Sequence, residues 1–231
     1  MPLLIKQELE KNESRLNFKG FQKLNGVFML YRKEILFQFK GDRKYVQGAD
    51  IFDSTLEVVK DFFGEYPNLL KGSFYRLLAN AGIFSLYEDN ELINLKNIYA
   101  QFSIQICQLK YKIIVTASEK NIDSFKEFNE NKVLEGFDIK GKLAMMSTKQ
   151  SFSYMEQIVA ITKRLHHVIY PNVSGKWLFT KIDLEDIINP SLFHNHRIVI
   201  EAKKNFHNKL TKNAIYLDDK QAGHIYYSLQ I

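Results

Sequence analysis

Tyr45-Val46-Gln47-Gly48 and the run Ala49 to Phe63 that follows it (YVQG ADIFDSTLEVVKDFF) decide how this chain reads. Ile51, Phe52, Thr55, Leu56, Val58, Val59, Phe62 and Phe63 recur at helical spacing, while Asp50, Asp53, Ser54, Glu57, Lys60 and Asp61 fall on the opposite side of a 3.6-residue wheel. Gly48 lets the chain turn in sharply, and Asp50 in the first turn suits the positive end of the helix dipole. Gly64-Glu65-Tyr66-Pro67 ends the helix. Strand-like sequence lies on both sides, so this is the core helix of an α+β unit.

Working outward, Gly26 to Tyr31 and Glu34 to Phe39 read as two strands, or as one long strand with a bulge. Residues 3 to 16 carry Leu and Ile at helical spacing and suggest an amphipathic entry helix. Residues 68 to 87 read as partly helical, with Phe74, Leu77, Leu78 and Ala81 on one side, and suggest an insertion or lid. From Ile98 the period changes to two: Ala100, Phe102, Ile104 and Ile106, then Leu109, Tyr111, Ile113 and Val115, alternate with polar neighbours as in half-buried strands. Glu119 to Asn131 is a polar connection, and Val133 to Met146 continues the sheet.

A second helix of the same phase spans 151 to 170, roughly a hundred residues after the first. Ser153 and Glu156 form a capping-box pattern at its start, and Pro171 ends it. Four strand candidates follow, 176–184, 197–206, 211–217 and 223–229, with Asp218-Asp219 a hairpin signal between the last two.

The 231 residues are 45% apolar, with 18 Phe and 12 Tyr, which describes an ordered globular chain rather than a disordered one. The single cysteine, Cys107, lies in an apolar run and reads as a buried structural thiol. It excludes a disulfide within the chain, and together with a start unlike a signal peptide it points to the cytoplasm. No segment approaches the ~20 apolar residues of a membrane span. The formal charge of +6 favours an anionic partner. Nucleic acid is not the expected one, since no clustered Lys and Arg with interleaved aromatics occur.

The last part of the chain resembles the closing strands of the hotdog fold, the superfamily of thioesterases and acyl dehydratases. The resemblance rests on Ala202 to Phe206, Asn213 to Asp219 and Ala222 to Tyr227. It extends to Tyr45-Val46-Gln47-Gly48, which sits where dehydratases of the superfamily carry a His-Phe-Pro-Gly motif. It implies a double hotdog-like α+β fold, two antiparallel sheets each wrapped on a central helix. Its organisation would be a helical segment over 1–20, a first unit over 21–148 with the insertion near 68–87, and a second over 149–231.

The resemblance also implies acyl-thioester processing on coenzyme A or acyl carrier protein, by a thioesterase or dehydratase-like route. No cofactor is expected beyond the coenzyme A or phosphopantetheine of the substrate itself. Tyr45 stands where the dehydratase base would be a histidine, and a phenol of reference pKa about 10 is a poor base. By position, Asp53 matches the helix carboxylate, with Asp50 beside it. The site residues expected from this are Asp53, Asp50 and Tyr45 for catalysis, and Gln47, Gly48, Phe52, Leu56, Val59 and His166 for the substrate. The acyl chain would lie against Phe52, Leu56 and Val59, and the amides from Gly48 to Asp50 would polarise the thioester carbonyl. The alternative is a non-catalytic acyl-binding or interaction module that keeps the fold without the motif histidine. A homodimer is allowed.

Other features read more simply. Asp50, Asp53 and Glu57 can equally be a solvated helix face, and His166 and His167 can simply favour the negative end of their helix. His194, His196, His207 and His224 lack the spacing of a metal site. Trp177 and Phe179 read as core-filling strand residues.

Overall fold

The computed structural model describes residues 22–24, 27–89, 96–185 and 196–230. The expected entry helix and His194 lie outside them. Strands β1 (Gln22–Leu24), β2 (Val27–Ile35) and β3 (Phe39–Lys40) precede helix α1 (Gly48–Phe63), and β4 (Leu69–Phe74), β5 (Asn80–Glu88), β6 (Ile98–Ile106) and β7 (Leu109–Asn121) follow it. Then come β8 (Phe125–Lys126), the one-turn helix α2 (Glu130–Val133), β9 (Asp138–Lys140), β10 (Leu143–Ser147) and helix α3 (Tyr154–Ile169). Strands β11 (Lys176–Glu185), β12 (Arg197–Phe206), β13 (Leu210–Leu217) and β14 (Lys220–Gln230) close the chain.

The two sheets expected from the sequence are one. A 12-stranded antiparallel sheet runs β1-β2-β5-β7-β6-β4-β11-β14-β13-β12-β10-β9, and the seam between its halves is the antiparallel pair β4 and β11, with Gly72 opposite Ile182. Each half places the last main-sheet strand before its helix (β2, β10) far from the seam and the strand after its helix (β4, β11) at the seam. A separate parallel pair joins β3 to β8, with Lys40 opposite Lys126.

The sheet curves around α1 and α3. Ala100, Phe102, Ile104 and Ile106 of β6 are buried while the residues between them are not, as the period of two requires. They meet Phe52, Leu56, Val58 and Val59 of α1 and Ile158, Ile161 and Leu165 of α3 in one core. α1 stops at Gly64, whose φ of 78° is the left-handed conformation of a helix C-cap and whose N–H donates to the Lys60 carbonyl. α3 begins with the expected capping box: Ser153 Oγ accepts from Glu156 N at 3.1 Å, and Glu156 Oε2 accepts from Ser153 N at 3.0 Å.

Two expectations are corrected. Residues 68 to 87 are not helical but supply β4 and most of β5, with Leu70, Leu78, Phe84 and Leu86 fully buried. Cys107 is exposed, at the turn between β6 and β7 with φ of 54°, and its backbone N–H donates to Asn68 Oδ1. Among the described residues no helix is long and apolar enough to cross a membrane.

Candidate functional site

The segment that opened the sequence reading ends at a cavity of about 330 Å³ beside the start of α1. Gln47 is the N-cap residue in extended conformation, and its carbonyl accepts from Asp50 N and Ile51 N. Val46 N donates to Leu78 O at 2.7 Å, which ties this segment to the connection between β4 and β5. Gly48 is required by a close approach: a Cβ there would lie 2.8 Å from the Phe179 ring. Ile51, Phe74, Val159, Trp177, Phe179 and Tyr227 give the cavity apolar walls.

Four cationic side chains, Arg43, Arg76, Lys163 and Lys176, also line the cavity, and among the described residues no carboxylate side chain does. Glu130 of α2 pairs with Lys163 at 2.8 Å and with Arg43 at 3.4 Å. Arg76 Nη1 donates to Asn97 Oδ1, and Lys176 Nζ donates to the Tyr45 hydroxyl at 2.5 Å while lying over its ring. Arg76 and Lys176 therefore have no carboxylate partner among the described residues.

A second polar cluster lies where α1 and α3 touch. Lys40 Nζ bonds Asp50 at 2.5 Å and also Glu156, with all three side chains largely out of solvent. Asp53 lies close to Ser153, the N-cap residue of α3. Residue 50 thus lies by 156 and residue 53 by 153, while Gly48 and Val159 share the cavity, so the helices run antiparallel with their N-terminal halves side by side. Both helices have 16 residues, and counting from their first residues pairs Asp50 with Glu156 and Asp53 with Val159. The acid at one end of this near-symmetric arrangement has an apolar counterpart at the other.

The electrostatics follow from burial. Asp53 is pushed up to about 8, first by loss of solvent and then by the charges of Asp50 and Glu156, against the pull of Ser153. Burial also raises Asp50, outweighing the attraction of Lys40, and Lys40 itself, though burial disfavours its charge, is held above its ordinary value by Asp50 and Glu156.

His166 is fully buried behind the cavity wall, its ring 4.8 Å from that of Trp177 and 5.1 Å from that of Tyr227. Its Nε2 lies 3.1 Å from both Asn213 Oδ1 and Thr211 Oγ1. Burial lowers it to about 4, so the ring is neutral at neutral pH.

The structure brings Tyr45, Gln47 and Gly48 together at the cavity. It places Asp50 and Asp53 in the Lys40 cluster, away from the cavity lining. Phe52, Leu56 and Val59 are core residues and do not line this cavity. His196 pairs with Asp218, and among the described residues no group of His, Cys, Asp and Glu could hold a metal ion. Lys40, Arg76, Lys176 and Tyr227 were not anticipated. Lys40, Lys176 and Tyr227 are placed by strand pairing and Arg76 by the connection between β4 and β5, none of which has a local sequence signal.

No protein-family model matches the chain, and no curated protein matches its sequence. Among solved structures, it is similar to the tesB protein of Mycobacterium avium subspecies paratuberculosis, at 9% identity and a TM-score of 0.50 over 87% of this chain and 94% of that one. It is also similar to a protein described as a thioesterase from Novosphingobium aromaticivorans, at 9% identity and a TM-score of 0.50 over 93% and 100% of the two chains. The dehydratase domain of PpsC from Mycobacterium tuberculosis, solved with C12:1-CoA, aligns at 9% identity and a TM-score of 0.49 over 91% and 97%. At these identities the likeness shows the fold alone, and that fold, one antiparallel sheet wrapped around two central helices, is the hotdog fold.

Proposed function

We propose that the protein binds an acyl thioester, carried on coenzyme A or acyl carrier protein, in the cavity at the start of α1. The observation that carries this reading is the composition of that cavity: apolar walls and four cations, with no carboxylate side chain among the described lining residues. Apolar walls suit an acyl chain, whose burial gains roughly 25 cal/mol per Å². The Gly48 and Ala49 amides at the start of α1 have no partner within the helix, whereas Asp50 N already donates to Gln47 O; Gln47 Nε2 is also buried without a partner, so donors are available for a thioester carbonyl. Arg76 and Lys176 suit the phosphates of either carrier. The likeness in fold to a protein described as a thioesterase supports the ligand class.

Acid–base chemistry requires a group within hydrogen-bond reach of the reacting atoms. With no carboxylate side chain among the described lining residues, binding without turnover is the reading favoured there. Mass spectrometry of the intact protein with saturated and 3-hydroxy acyl thioesters on both carriers tests it. The expected result is a one-to-one complex whose thioester persists, lost in Val159→Trp, which fills the cavity. Failure of every thioester to bind overturns the reading.

One observation favours a second reading, thioester hydrolysis at the other end of the helix pair. Asp53 faces the start of α3 through Ser153 and is held at about 8, so it can take and return a proton near neutral pH. Release of free acid that stops in Asp53→Asn selects this reading over the first.

A further inference from the structure

Phe74, Trp177, Phe179 and Tyr227 give the cavity at the start of α1 a wall of rings. They come from three neighbouring strands, β4, β11 and β14, and Phe179 stands opposite Tyr227 in register. The Phe179 centroid lies 4.6 Å from that of Phe74 and 6.0 Å from that of Tyr227, so these rings form one surface. Trp177 precedes Phe179 by two residues on β11, which puts it on the same side of the sheet roughly 7 Å further along.

The described residues behind this wall are packed. Phe74 stands edge-on to Phe102 at 5.6 Å, and Phe102 is fully buried and does not line the cavity. Trp177 and Tyr227 are backed by the fully buried ring of His166. Tyr227 Oη donates to the Val159 carbonyl at 3.0 Å, which joins β14 to α3 across the inner end. An acyl chain that enters therefore meets a closed wall. The cavity's 330 Å³ has room for about eleven non-hydrogen atoms at ~30 Å³ each.

We infer that this wall sets the length of the acyl group: the cavity takes short and medium chains, up to about ten carbons, and Trp177 and Val159 fix the limit. The inference rests on the acyl-thioester reading for the class of ligand. Gly48 locates the carbonyl end, since a Cβ there would lie 2.8 Å from the Phe179 ring and 3.5 Å from that of Phe74. Those two rings border the first carbons. Trp177, one inward position further along β11, and Val159, on the facing helix, border the last. Within the limit each methylene gains by leaving water; beyond it, a chain must displace a packed ring or stay outside.

The test is calorimetric titration of the intact protein with butyryl-, hexanoyl-, octanoyl-, decanoyl-, dodecanoyl- and tetradecanoyl-CoA below their micellar concentrations, with free coenzyme A as the reference. Affinity is expected to rise by up to about fourfold per methylene as far as decanoyl and then to level or fall. Trp177→Leu enlarges the inner end and is expected to move the turning point to longer chains. Val159→Phe narrows it and is expected to move the turning point to shorter ones, with free coenzyme A unaffected by either. An affinity still rising through tetradecanoyl overturns the limit alone, as does a turning point that stays in place in both folded variants. The parent series decides the limit even where a variant fails to fold. Acyl-CoA of every length binding no tighter than free coenzyme A overturns the thioester reading and the limit with it.

Discussion

Asp50 and Glu156 hold the same position, the third, in two helices of 16 residues, and both are bonded by the single ammonium group of Lys40. Neither carboxylate has Lys40 to itself. The lysine comes from β3, placed by its pairing with β8, so a small parallel ribbon determines the charge balance at the centre of the molecule.

Removing that ammonium leaves two carboxylates facing each other out of solvent. Lys40→Met is expected to cost about 3–5 kcal/mol at neutral pH, because an unpaired buried charge is the expensive outcome. Urea unfolding checks this. The deficit should shrink as pH is lowered, since the stranded carboxylates then take up protons.

Asp53 predicts a particular pH dependence. Its folded value of about 8 lies above the ordinary 3.8, so its contribution to stability is complete below 3.8. As pH rises from there, the unfolded chain loses the proton first. Stability then falls by up to about 1.4 kcal/mol per pH unit until the folded group also ionises near 8, and levels off above. Asp53→Asn should abolish this slope and be more stable than the parent above that point. Unfolding midpoints across the range decide it; a parent curve that is flat there would show Asp53 to be ionised in the fold.

Gly48→Ala is expected to destabilise the protein by about 1–3 kcal/mol through overpacking, since the new methyl meets the Phe179 ring at 2.8 Å. Phe179→Leu in the same chain should recover most of the loss. A double-mutant cycle in denaturant measures the coupling, and simple additivity would mean that the ring is free to move aside.

Trp177 is the only tryptophan of the sequence and lines the cavity while 4% exposed. Saturable binding of an acyl thioester should change its emission, because the ligand replaces the contents of the cavity at the indole's surface. Constant emission during complex formation, followed by mass, would place the ligand elsewhere.

Much of the fold was legible in the sequence, and the particular failures have physical causes. Helices α1 and α3 were marked by apolar spacing together with end signals, Gly64 for one and the Ser153–Glu156 box for the other. The turn before β14 was marked by Asp218-Asp219, whose φ angles of 47° and 69° only a few residue types adopt readily. Strands β4 and β5 were misread because β5 buries neighbours in succession, including Ala81, Gly82 and Phe84 to Tyr87, so the period of two that marks a strand is erased. The site was half legible. Tyr45, Gln47 and Gly48 announce themselves as the entry to a helix. Lys40 reaches a partner 116 residues away, and nothing in its own neighbourhood encodes that.

The seam between β4 and β11 bears on what holds the molecule in one piece. The connection between its halves passes through Gly136, an exposed residue with φ of 81°, whereas the ladder from Leu69–Glu185 to Ser73–Lys181 and the bonds from Lys40 to Glu156 cross between them without it. Covalent continuity at Gly136 supplies proximity and little else. Opened there, the chain becomes a complementation pair: each fragment carries one central helix and one raw strand edge, and reassembly needs only that the two edges meet.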